Sequence, residues 1–257
     1  MLTRTDSHRR GIYRWLESTD TSGLHNRATQ LHEQDTCDWV LRLPDWKEWL
    51  TGDCRCLWIH GIPGAGKTVL ASFLIERVKD HCRSLPRAAH TYYYCYFGHN
   101  QDEADPFLRW TIAQLCRQAV SIPEIIIELH KHGRQPSLSE LLLALESCLE
   151  TLDSAYVVLD AADESKPRGN LLKVLRDLAS DPRFSKLHVI VTSRDYVDIE
   201  QALDSVSQPV PMDNALIAED IRRFVRASLH SGPRFPFWPA NLIAETEEEL
   251  VSRSKGM

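Results

Sequence analysis

Eight residues, Gly61-Ile62-Pro63-Gly64-Ala65-Gly66-Lys67-Thr68, set three glycines, a lysine and a hydroxyl at spacings that suit a polyphosphate. They fit the pattern G-x-x-x-x-G-K-[ST]. Glycine has no Cβ, so its backbone reaches dihedrals closed to other residues and its amides can approach phosphate oxygens closely. Amides so placed at the start of a helix form a concave anion nest, and the helix dipole adds to the attraction. Lys67 is then placed to reach the outer phosphates and the Thr68 hydroxyl to ligate Mg²⁺. With Val69, the first residue after the pattern, the candidate binding stretch runs from Gly61 through Val69.

A loop of this kind needs a buried strand before it and a helix after it. Cys56-Leu57-Trp58-Ile59-His60 is a short apolar run, as a buried parallel strand should be. Residues 69–78 are apolar at helical spacing. Strand, glycine-rich turn and helix therefore come in the required order.

A second set of candidates follows the apolar run Ala155-Tyr156-Val157-Val158-Leu159, which ends in Asp160. A carboxylate at the carboxyl end of a parallel strand beside the loop is where Mg²⁺ would be held. The chain continues Ala161-Ala162-Asp163-Glu164. Asp160 can support the metal, which leaves Asp163 or Glu164 to orient or deprotonate an attacking water. The bland alternative has Asp163-Glu164 capping the next turn. A further apolar run, Leu187 to Thr192, ends in Ser193-Arg194. A cation there could sense a γ-phosphate; the alternative is a surface arginine paired with Asp195. The guanine-reading pattern N-K-x-D is absent, because Thr192-Ser193-Arg194-Asp195 lacks the lysine. That leans toward ATP over GTP.

Other strands are expected at Thr91 to Phe97 and, at an edge because of its two prolines, at Pro209-Val210-Pro211. Helices are expected over 107–120, 123–132, 137–152, 170–180, 213–230 and 241–254. The third of these opens on Ser137-x-x-Glu140, a capping box. Helices alternating with apolar strands mean an α/β fold, a parallel sheet covered on both faces. The extra strand between the loop helix and the acidic strand predicts a three-layer P-loop NTPase sandwich with sheet order 5-1-4-3-2, which keeps the crossovers right-handed. Residues 1–50 are mostly without clear periodicity, but Trp39, Trp46 and Trp49 suggest a helical lead-in packed on the following domain, with Trp46 and Trp49 sharing a helix face. The domains are then a lead-in over 1–50, an NTPase core over 51–212 and a helical extension over 213–257. A Pro/aromatic break over 231–239 falls inside that extension.

At 257 residues, 43% hydrophobic and 26% charged, the composition is that of an ordinary globular chain. A net charge of −6 argues against a nucleic-acid surface, which needs clustered cations. No stretch has the length of a transmembrane span, and residues 1–10 do not read as a secretory signal. The seven scattered cysteines suit reduced, buried thiols, and hence a cytoplasmic setting without a membrane. Cys54-x-Cys56 lacks the spacing and second pair of a zinc site.

These features resemble the NACHT family of signal-transduction NTPases within the larger STAND class, and its heterokaryon-incompatibility-type and nephrocystin-3-like fungal members in particular. The likeness rests on His32-Glu33 to Trp39, Leu43-Pro44 and Trp46 to Gly52, then LWIHGIPGAGKTVLAS (57–72), YVVLDAADE (156–164), HVIVTSRD (188–195) and Asp220-Ile221 to Leu229. It spans roughly 10–257. The sequence departs from the family where Thr36-Cys37-Asp38 stands in place of a Thr-Gly pair that approaches the base, and where Ala162 replaces a leucine. The resemblance implies phosphate and Mg²⁺ roles for Lys67 and Thr68, a metal role for Asp160, a water role for Asp163 or Glu164 and a sensor role for Arg194. It also implies a nucleotide-dependent switch that hydrolyses slowly and acts through self-association or protein partners. The end at Lys255-Gly256-Met257 suggests a module that stops short of a winged-helix region. A P-loop small-molecule kinase and a binding module without catalysis are the competing readings. Arg222, Arg223 and Arg226 would serve the kinase as a lid, although a solvated helix face explains them as well.

Overall fold

A computed structural model describes residues 4–52, 54–213, 215–231 and 238–254. Five parallel strands form one sheet: β1 (Cys56–His60), β2 (Ala88–Tyr94), β3 (Ser154–Asp160), β4 (Leu187–Ser193) and β5 (Gln208–Pro211). Their order across the sheet is β2-β3-β4-β1-β5, the expected 5-1-4-3-2. β5 is an edge strand hydrogen-bonded to β1 alone, where Pro209 and Pro211 leave no central ladder short of donors.

Side chains alternate across each strand, and this alternation builds two cores. On one face Trp58, Tyr93, Val157, Leu159, Val189 and Val191 meet α1 (Arg4–Leu16), α5 (Ala104–Gln118), α6 (Glu124–His132), α7 (Leu138–Leu149), α8 (Gly169–Ser180) and α9 (Val197–Leu203). On the other, Leu57, Ile59, Tyr94, Val158 and Ile190 meet α3 (Pro44–Thr51), α4 (Lys67–Arg83) and the start of α10 (Ala215–Ser231). Burial on both faces is why the strands read as unbroken apolar runs.

Local signals set several element ends. Pro44 opens α3, and Gly52, at φ 99°, closes it. Trp46 and Trp49 share the buried face of α3, with ring centroids 5.2 Å apart. Trp49 also donates its indole N–H to the Val189 carbonyl at 3.0 Å, which ties the lead-in to β4. The Ser137/Glu140 capping box is formed at the start of α7.

Four elements depart from expectation. β2 begins and ends three residues earlier than 91–97. Its ladder with β3 runs from Ala88↔Ser154 to Tyr94↔Asp160 and stops because β3 stops. Phe97 therefore enters a short turn, Phe97–His99, and is 61% exposed. Before α3, the segment without periodicity holds α1 and α2 (Ser22–Gln30). Among the described side chains of α1 only Ile12 and Leu16 are buried, and α2 buries only His25 and Ala28, too few positions to leave a readable stripe. α9 had no counterpart in the sequence reading. The last helix, α11 (Ala240–Arg253), packs on α10. Residues 232–237 of the Pro/aromatic break, and Lys255-Gly256-Met257, lie outside the described residues. All seven cysteines are unpaired thiols.

Candidate functional site

The strand register brings the carboxyl ends of β1, β3 and β4 to one rim: His60 pairs with Ser193, and Leu159 with Val191. Between β1 and α4 the loop turns on Gly64 and Gly66, at φ 85° and 83°, a left-handed conformation that L side chains rarely adopt. A pocket of about 300 Å³ lies over this rim. Pro63, Gly64, Gly66, Lys67, Thr68 and Val69 wall one side of it. Asp160, Asp163, Glu164 and Arg194 wall the other. Residues from three separate stretches of chain thus converge on one space.

Gly61, Ile62 and Ala65 stand outside that pocket. Gly61 is packed below it, where a Cβ would come within 3.0 Å of the Met212 Cβ. Ile62 is 42% exposed on the outer side of the loop. Ala65 is buried and faces a neighbouring cavity.

The hydrogen bonds show what each charged group is doing. Lys67 Nζ donates to the Gly61 and Ile62 carbonyls at 2.7 and 2.8 Å, folded over its own loop. Burial lowers its pKa, against the pull of Asp163 and Asp160. Asp160 is 2% exposed, and its pKa is pushed up to about 6 by burial. Hydrogen bonds from Thr192 and Thr68 oppose that shift. Thr192 is the hinge of this corner, donating its hydroxyl to Asp160 Oδ1 at 2.5 Å and accepting from the Ala161 amide at 2.9 Å. Ala161 takes φ 58° and turns the chain so that the short turn Ala162–Glu164 comes back to the pocket. Ala162 is fully buried.

The two candidate water-handling acids differ. Asp163 Oδ1 accepts from the Arg194 amide at 3.1 Å, and its Oδ2 lies 3.2 Å from the Arg194 guanidinium. Glu164 accepts from the Phe97 amide at 3.0 Å through Oε2. Asp195, the alternative partner for Arg194, pairs instead with His60, whose ring stacks on Trp58 at 4.3 Å. Trp58 in turn donates to the Ser193 hydroxyl at 2.8 Å, which fixes the end of β4 next to Arg194.

Sequence reading missed two parts. Thr192 was legible only as the end of a strand, because its contact with Asp160 crosses from β4 to β3 and leaves no mark along either run. The other is a cavity of about 650 Å³ that shares Gly64, Gly66 and Val69 with the first pocket. Its wall is mainly apolar, with Trp39, Leu70, Met212, Ile217 and Phe224 among its residues. The Thr36-Cys37 stretch lies here. Cys37 holds φ 71°, the conformation a glycine would take without strain. Its amide donates to Asp220 Oδ2, from α10, at 2.5 Å. Burial pushes its thiol up to about 12 and raises the Asp220 carboxyl as well.

The sequence profile of the family described as "Nephrocystin 3, N-terminal" matches residues 35–194, more than half of the chain and every charged residue of the pocket. The chain belongs to this family. Over 239 residues it is also 27% identical to the vegetative incompatibility protein HET-E-1 of Podospora anserina. That match takes in 87% of this chain but 17% of HET-E-1, so the chain spans less than a fifth of that relative. Both likenesses bear out the nephrocystin-3-like, NACHT-type reading of the sequence. Among solved structures, the ORC1 protein of Aeropyrum pernix in complex with DNA superposes with a TM-score of 0.52 at 15% identity, over 93% of this chain and 59% of that one. A Drosophila ORC structure bound to DNA follows with a TM-score of 0.48, at 11% identity. The former likeness supports the fold, a P-loop NTPase-type α/β module. The DNA belongs to those complexes, but the acidic balance of this family member does not exclude nucleic acid. Among the described residues no helix is long and apolar enough to cross a membrane.

Proposed function

We propose that this chain is the nucleotide-binding module of a switch. It would bind ATP with Mg²⁺, hydrolyse it slowly and pass the difference between tri- and diphosphate to self-association or to protein partners. The observation that carries the reading is the convergence of Lys67, Thr68, Asp160, Glu164 and Arg194 on one pocket that opens beside a larger apolar cavity. Phosphates fit the first space and an organic base the second.

The residues present suit Mg²⁺. Thr68 and Asp160 are hard oxygen donors already in hydrogen-bond contact, and a buried carboxyl whose pKa is raised gains from a cation. Among the described residues no group of three or more His, Cys, Asp or Glu side chains is placed to hold a metal by itself. Magnesium commonly takes only one or two carboxylates and completes its shell with phosphates and water. When bound it would neutralise charge on the phosphate oxygens.

The remaining roles follow from the hydrogen bonds. Lys67 would leave the Gly61 and Ile62 carbonyls for phosphate oxygens, which are stronger acceptors for a cation. Glu164 is the better of the two acids for orienting water, because its second oxygen lies outside the bond from Phe97 while both Asp163 oxygens face Arg194. A γ-phosphate would compete with Asp163 for Arg194, and only the triphosphate offers that competition. That is the differential free energy a switch requires. We assign 1–50 to a lead-in, 51–212 to the NTPase core and 213–257 to a helical extension that carries the response.

The test is equilibrium binding of ATP, ADP and GTP with and without Mg²⁺, together with phosphate release over hours. Binding of ATP that requires Mg²⁺, with slow phosphate release, is the expected result. A chain that binds no nucleotide under these conditions has some other function.

A further inference from the structure

The polar side chains on the wall of this mainly apolar cavity are those of Glu33, Thr36, Cys37, Asp220, Arg253 and Ser254. Arg253 pairs with Glu249, Ser254 donates to the Val251 carbonyl at 2.9 Å, and Glu33 also lines an outer pocket that holds Arg223 and Arg226. Thr36, at its edge, donates its hydroxyl to the Glu33 carbonyl at 2.7 Å and is spoken for. Asp220 reaches the same wall from α10, and one of its oxygens, Oδ2, is engaged by the Cys37 amide. That amide belongs to a residue in the left-handed conformation, so the carboxylate has a fixed position at the wall of a mainly apolar space. The cavity and the phosphate pocket share Gly64, Gly66 and Val69, so a ligand with its phosphates in one places its base in the other.

We propose that Asp220 reads the base: its second oxygen accepts the 6-amino group of adenine, while the Cys37 amide holds the first. This inference rests on the nucleotide-binding reading above. An ionised carboxylate only accepts hydrogen bonds, so it selects a base edge that donates. Guanine presents two neighbouring N–H groups, which a carboxylate receives best with both oxygens, and one of these is taken. Adenine presents a single amino group and needs one. In a cavity lined by Trp39, Met212, Ile217 and Phe224, a base without that group leaves the second oxygen without a partner, and such a loss is costly. Asp220 lies on the helix that packs against α11, and Leu250 and Arg253 of α11 line the same cavity, so the base is read where the C-terminal helical pair meets the core.

The experiment titrates the full chain, in Mg²⁺, with ATP, GTP and purine riboside 5′-triphosphate, which is ATP without the 6-amino group. Wild type is expected to prefer ATP over purine riboside triphosphate by roughly tenfold to a hundredfold, the effect of one hydrogen bond to a charged group. In Asp220→Asn the amide oxygen takes the Cys37 N–H and turns its NH₂ toward the cavity. That variant is expected to lose affinity for ATP alone, so that the two ligands bind within about threefold of each other. The proposal is overturned if wild type does not distinguish the two, if GTP binds more tightly than ATP, or if the variant weakens both in proportion. The wild-type series can still overturn the proposal if Asp220→Asn fails to fold, and Asp220→Ala then tests the assignment by the same ratio. If none of the three nucleotides binds to wild type, the nucleotide reading itself falls, and this inference with it.

Discussion

The phosphate pocket and the apolar cavity share a wall yet are built in opposite ways. The smaller is polar, formed by one glycine loop and the ends of two strands whose register leaves them little freedom. The larger is apolar and gathers residues 31–39, 64–70, 212–225 and 250–254, which span most of the chain. In the first, each side chain carries recognisable chemistry. In the second, almost every residue passes as ordinary core. Chemistry placed at a glycine loop and at strand ends can thus be read from short spacings, while a wall gathered from distant helices depends on how those helices come to rest.

If the two regions divide the work in this way, they can be separated experimentally. Lys67→Ala should have the largest effect, lowering ATP affinity by roughly a hundredfold or more, since it removes the cation of the loop. A fluorescent ATP analogue bound as tightly by this variant as by wild type would remove the phosphate role. Glu164→Gln should slow phosphate release by about a hundredfold or more while leaving ATP affinity nearly unchanged. Asp163→Asn should slow it less, and the reverse order would reassign the water to Asp163. Phe224→Asp, on the cavity wall, should weaken ATP by about tenfold but leave competition by inorganic tripolyphosphate unaltered. Equal losses for both ligands would mean that the regions do not act separately. Arg194→Ala should bring the affinities for ATP and ADP within about threefold of each other, by deleting a charge-assisted contact to the γ-phosphate. An unchanged ratio would make its bond to Asp163 purely structural. Cys37→Gly should have the smallest effect. Relief of a left-handed conformation worth about 1 kcal/mol is opposed by loss of a buried thiol and by the freer unfolded backbone of glycine. The melting temperature is expected to move by only a few degrees, and a large fall would show that the thiol packs more strongly than its size suggests.

Much of the fold was legible because it obeys local rules. Cys56–His60, Ser154–Asp160 and Leu187–Ser193 are buried on both faces, so their apolar runs announced them. The order of elements then limited the topology, since right-handed crossovers leave few choices. The lead-in was harder. His25, on α2, is held by Tyr94 and Glu76 rather than by an apolar stripe, and contacts of that kind cannot be seen along a single helix. The end of β2 was misjudged for a similar reason. Tyr96 and Phe97 favour strands by type, but no neighbouring strand remained to pair with them.

The sequence by itself determined which groups could meet a triphosphate, because a glycine loop, a lysine and strand-end acids carry their chemistry in residue type and short spacing. It left Asp163 and Glu164 equivalent, Arg194 with two candidate partners, and Cys37 and Asp220 unconnected. Only the tertiary structure separated the two acids, gave Arg194 to Asp163 and joined the Cys37 amide to a carboxylate on a distant helix. The physical reason is that hydrogen bonds and burial depend on distance in space, and packing alone decides which remote segments come close.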